Sequence, residues 1–211
     1  MNSQVRRTQD ERRDESEQRM HAAGVRLVAQ YGPDMLTLTE VGKSAGYSRG
    51  LPAHHFGSRE QYLKALASHV AIEFDRTLSA ADQVSGLVAV LDITRAVLEQ
   101  LKADPTRGLA TQIVLADARR ERALSGDIAE LRDKTLALLS RHIEDGIHAR
   151  EIRPDVTPKF AGLLIAAGIC GIIDSWLADD QFDFEAAGEQ LLRMIKHGLK
   201  EPGHSVGTLP S

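Results

Sequence analysis

Three hydroxyl residues in the first third of the 211-residue chain, Thr37, Ser48 and Ser58, stand where apolar helical stripes begin. A helix start presents free N–H groups and a partial positive charge, so a hydroxyl there serves either as a cap or as part of a seat for an anion such as a phosphate. Arg49, His54, His55 and Arg59 lie among these starts and add groups able to donate hydrogen bonds to an acidic or polar surface. Elsewhere, the chemistry-bearing residues do not assemble into a catalytic pattern. There is no glycine-rich phosphate loop, no nucleophile with a recognisable motif around it, and no metal-ligand set at good spacing. His142 and His148 are six residues apart on one expected helix and point about 120° away from each other, which favours a surface reading over a metal site. Neither catalytic residues nor a cofactor are expected, and an enzyme is the improbable class.

The elements that must position these residues are all helical. Aromatic residues make up 4% of the chain, while Ala, Leu, Glu and Arg abound, so local propensity favours helix nearly throughout. Residues 1–14 are polar and lack apolar periodicity; they read as a flexible arm, with Arg6, Arg7, Arg12 and Arg13 offset by Asp10 and Glu11. A first helix follows from the stripe Met20, Ala23, Gly24, Leu27, Val28 and Tyr31, stopped by Gly32-Pro33. Thr37 with Glu40 three residues later is a capping pair for a second helix through about Ala45. Gly46 allows a sharp turn, Ser48 is placed to cap a third helix through about His55, and Ser58 a fourth running towards residue 80. Further helices are expected over 87–101, 109–118, 128–148, 160–177 and 184–199, with 201–211 a flexible tail.

Charge sorts the same way. The net charge is −4, yet residues 1–64 hold 10 basic against 8 acidic residues and the remainder 16 against 22. Any polyanion contact therefore belongs near the N-terminus. The lone Cys170 reads as a buried small hydrophobe, and with no leader segment in view a cytoplasmic protein is expected. The longest uninterrupted apolar run, 160–173, is short of the roughly 20 residues that cross a bilayer, so no membrane span is expected. Its helix is nevertheless apolar around nearly its whole circumference, and a second subunit is the natural cover.

The run Arg19–Leu66, with Ala45-Gly46-Tyr47-Ser48-Arg49-Gly50 followed by His54-His55-Phe56-Gly57-Ser58-Arg59-Glu60, resembles the DNA-binding signature of the TetR (tetracycline-repressor-like) family of transcriptional regulators. The resemblance implies an all-α protein of about nine helices. A helix-turn-helix DNA-binding domain would span residues 15–64, with its motif at 37–56, and a helical effector-binding and dimerisation domain would span 65–200. By position, Thr37, Ser48, His55 and Arg59 match phosphate-contacting places and Arg49 and Gly50 match places facing base edges. Ser58 supplies a third anion-friendly helix start, Arg49 suits guanine because it can donate two bonds, and His54 reads equally as a groove contact or a surface residue. Gly42 meets the need for a small residue where the two helices of the motif cross.

This sequence departs from the family at Ala53, where a phosphate-reaching tyrosine is usual, and Pro52 predicts a short or displaced recognition helix. The implied function is a repressor, a homodimer through residues 158–199 on a palindromic double-stranded operator, released by a small, largely apolar effector. A helix-turn-helix regulator answering to a protein partner, or to no effector, is the alternative. Candidate effector residues are Gln112, Arg119, His142, Asp174 and Trp176; Asp174 is placed either to orient a ligand or to face solvent.

Overall fold

A computed structural model describes residues 9–120, 125–179 and 181–201; the side chains of 112, 115–120, 125, 127 and 128 are outside the description. Nine helices occur among these residues: α1 (Gln9–Tyr31), α2 (Leu38–Ser44), α3 (Leu51–Phe56), α4 (Arg59–Ala81), α5 (Gly86–Ala103), α6 (Pro105–Arg120), α7 (Ser125–His148), α8 (Pro158–Ala178) and α9 (Phe184–Leu199). α1 begins at Gln9, so Arg12 and Arg13 are helical; Arg6 and Arg7, and the tail beyond 201, lie outside the described residues.

The chain divides into two compact units, residues 1–72 with 109–128, and residues 73–108 with 129–211. In the first, the expected stripe of α1 is buried at Met20, Ala23 and Val28, as are Leu36, Val41, Tyr62 and Leu66 of the same unit. Tyr62 is fully buried and its hydroxyl donates to the Met20 carbonyl at 2.7 Å. A Cβ at Gly24 would fall 2.0 Å from the Tyr62 oxygen, so the absence of a side chain there is what lets the phenol lie across α1. Burial pushes the Tyr62 hydroxyl's pKa well above its ordinary value, which keeps it a donor.

The second unit is built on α5, α8 and α9, which pack on one another around Val90, Ile93, Val97, Leu98, Ile173, Ile195 and Leu199. α7 adds Leu139 and Ile143 to this core. α8 enters through Thr157-Pro158, with proline in its first turn as expected. Its extent follows the sequence reading, which placed this helix at 160–177. The helix carries through Asp174 to 21 residues, longer than the 160–173 apolar run from which no membrane span was expected; its 18-residue apolar window has a mean hydropathy of 1.9, so by length and composition it is able to cross a membrane. A single exposed carboxylate is too small an interruption to end an α-helix. Only part of its surface is covered within the chain: Phe160 is 61% and Leu164 70% exposed, and neighbouring Met194 of α9 is 62% exposed.

Candidate nucleic-acid interface

The helix-turn-helix is assembled from two short helices whose ends are fixed by different means. Thr37 caps α2 from an extended backbone conformation, its Oγ1 accepting the Glu40 N–H at 3.2 Å. At the other end the Gly46 N–H donates to the Lys43 carbonyl and the Tyr47 N–H to the Gly42 carbonyl. Gly46, at φ +78°, supplies the left-handed residue this paired closure needs. The chain then folds back so tightly that a Cβ at Gly42 would sit 2.6 Å from the Ser48 carbonyl oxygen and 3.2 Å from the Pro52 ring. The steric demand read from the sequence at position 42 is thus met by backbone, which cannot swing aside.

The start of α3 differs from the expectation that Ser48 caps it. Its cap position is Gly50, in right-handed helical conformation and without a side-chain cap bond, and Ser48 instead accepts the Leu51 N–H through its carbonyl at 3.2 Å. Pro52 falls in the first turn, where its missing N–H costs nothing, and its ring is buried against Gly42. The helix is six residues long, consistent with the short recognition helix that Pro52 predicts.

Ser48, Arg49, Gly50, Ala53 and His54 are all exposed at this helix start, so the groove-facing candidates share one open surface. His55 is half-buried and its Nε2 lies 3.5 Å from the Ser16 hydroxyl of α1. Ser58 caps α4, accepting the Gln61 N–H at 3.1 Å. Arg59 is turned to a different task from the others. Its Nε donates to the Leu36 carbonyl at 2.8 Å and its Nη2 to the Pro33 carbonyl at 2.5 Å.

Behind α3 lies an aromatic cluster that the sequence reading did not single out. The His21 ring stacks on His69 at 4.6 Å and meets Phe56 edge-on at 5.6 Å, with Tyr62 at 6.2 Å. Burial, seconded by His69, lowers the His21 pKa to about 4 although Glu17 acts in the opposite sense. His21 thus serves as a neutral packing ring. Its place on the Met20–Val28 side of α1 was legible; its three aromatic neighbours, up to 48 residues away in sequence, were not.

The candidate effector residues that are described have different immediate partners. His142 is 2% exposed and its Nε2 lies 2.8 Å from Asp82 Oδ1, while Arg141 donates to Asp82 Oδ2 at 2.7 Å. Burial works against ionisation of Asp82, but Arg141 and then His142 outweigh it and hold the carboxyl below its ordinary pKa. Trp176 packs on Phe184 with ring centres 4.8 Å apart, and Asp174 is exposed. Gln112 and Arg119 lie on α6, their side chains outside the described residues. An open groove of about 430 Å³ runs between α4 and α5, bounded by Glu73, Arg76, Thr77, Ala80, Ala96 and Gln100; His142, Asp174 and Trp176 do not line it.

Comparison with known proteins agrees with this architecture. Residues 21–66 match the family model described as bacterial regulatory proteins, tetR family. No curated protein sequence matches the chain. Solved structures do: a putative TetR-family transcriptional regulator from a Rhodococcus species (23% identity, 87% of this chain and 98% of that one, TM-score 0.70); the regulator FadR of Bacillus subtilis in complex with stearoyl-CoA (20%, 86% and 98%, 0.72); and SmeT, repressor of a Stenotrophomonas maltophilia multidrug efflux pump (21%, 92% and 96%, 0.70). At these identities the structural likeness speaks for the fold, and the family match speaks for the head. Residues 21–66 thus carry the helix-turn-helix head that the tetR family model of bacterial regulatory proteins describes, joined in one chain to an all-helical remainder whose fold is shared with the solved regulators.

Proposed function

We propose that the protein is a cytoplasmic repressor that binds a palindromic operator as a homodimer and leaves it when a small, largely apolar ligand enters the helical body. The observation that carries the reading is the exposed run Ser48-Arg49-Gly50 with His54 at the start of α3, held in place by the Gly42 crossing. Arg49 would donate two bonds to a guanine edge, and Thr37, Ser48, His55 and Ser58 would address phosphates. The bare apolar surface of α8 and α9, at Phe160, Leu164 and Met194, supports pairing of two chains through residues 158–199, which would set two reading heads roughly 34–36 Å apart. Ligand control is supported by the bound stearoyl-CoA and triclosan of solved structures of the same fold. Ligand and operator would oppose each other by linkage, each weakening the other's binding by the same factor, with α4 as the moving part.

The test is binding of the purified protein to DNA from upstream of its own gene, by fluorescence anisotropy across a salt series, with Arg49→Ala beside the wild type. Specific, salt-sensitive binding that the substitution abolishes is the expected result. A folded dimer that ignores duplex DNA at low salt overturns the proposal.

A further inference from the structure

We propose that Arg59 is a positioning residue, one that fastens the first turn of α4 to the entrance of α2 and so sets the phosphate-facing end of the reading head; this rests on the DNA-binding reading above. Arg59 spends two of its donors inside the protein, Nε on the Leu36 carbonyl and Nη2 on the Pro33 carbonyl. Those carbonyls bound a tight turn, because the Leu36 N–H itself donates to Pro33 at 3.1 Å. Leu36 is buried, and Thr37, the cap of α2, is the very next residue.

The guanidinium therefore grips the two ends of the turn that delivers Thr37. A planar fork suits this work: its donors leave in fixed directions, so two carbonyls held by one group are also held relative to each other. From Thr37 the constraint continues through α2 to Gly42, whose contact with the Ser48 carbonyl and Pro52 ring places α3. A displacement of α4's first residue is thereby handed to α2 through two charge-assisted bonds, and to α3 through close packing. Arg59 would act through Thr37 and α3 and not through a phosphate of its own.

The two roles separate in the salt dependence. Arg59→Met keeps the stem and removes every donor. The expected result is DNA affinity weaker by roughly tenfold with the slope of log affinity against log salt unchanged, together with faster hydrogen exchange at the 36–41 amides of the free protein. A slope shallower by about 0.9, the loss of one phosphate contact, with exchange unchanged, overturns the proposal. Where Arg59→Met unfolds the head, Arg59→Lys decides: it retains the charge but puts a methylene where Nε reaches Leu36, so the same amides loosen at an unchanged slope, and wild-type exchange overturns the proposal. Should the wild type itself bind no duplex, the functional reading fails, while the exchange comparison still decides whether the grip exists.

Discussion

His21 shows how a single residue ties the head's stability to pH. Its pKa in the fold is about 4, against an ordinary 6.5, because the ring is buried beside His69. The unfolded chain therefore takes up a proton first. The stabilisation is whole above pH 6.5 and is lost as pH falls from there towards 4, a change of roughly 3 kcal/mol from this residue. Urea titrations between pH 7.5 and 4.5 are expected to show that loss, and His21→Phe is expected to flatten it; an equally steep profile in the variant assigns the effect elsewhere. Gly24 is a second such point. Gly24→Ala forces a methyl onto the Tyr62 hydroxyl, which cannot yield without breaking its bond to Met20, and is expected to cost about 2–3 kcal/mol of thermal stability. The sequence marked Gly24 only as a small member of an apolar stripe, since the ring that needs the space lies 38 residues further on.

Among the elements, boundaries set by local chemistry were legible and fastenings made over distance were not. Thr37 and Ser58 cap the helices they were expected to cap, because a cap needs only its own next three residues. Ser48 does not, because the turn after Gly46 delays α3 until Leu51, where the Pro52 ring packs on Gly42. The link between Asp82, just after α4, and Arg141–His142 of α7 spans about 60 residues and carries no sequence signal. Asp82→Asn removes the charge that Arg141 and the buried His142 face, and is expected to cost about 1–2 kcal/mol at pH 7. Since the Asp82 carboxyl is held below its ordinary pKa, that contribution is present above about pH 4 and fades as pH falls through the lowered value. The gap between variant and wild type should therefore narrow towards pH 3; a gap independent of pH assigns the cost to packing instead.

For the molecule as a whole, the nine-helix order was legible because each helix is either striped or bounded by proline, glycine or a hydroxyl. The grouping of 109–128 with the head was not, since sequence periodicity marks a helix but not which unit it joins. The apolar character of α8 was evident from its residues, yet which of them remain uncovered emerged only with the packing on α9. Leu164→Glu puts a charge on the most exposed of these positions. Light scattering is expected to return the mass of a single chain for the variant and of two for the wild type. A dimeric variant places the interface on another surface.

If two chains pair over that uncovered helix, as proposed, abundance becomes a thermodynamic variable. Were the apolar face of α8 covered only in the pair, folding and pairing would become one equilibrium and dilution would act as a denaturant. The melting temperature should climb with protein concentration, and a cell holding few copies would keep a reserve of half-competent single chains. The dose response of the regulated gene would then be set by how often two copies meet as well as by how tightly the pair holds its DNA.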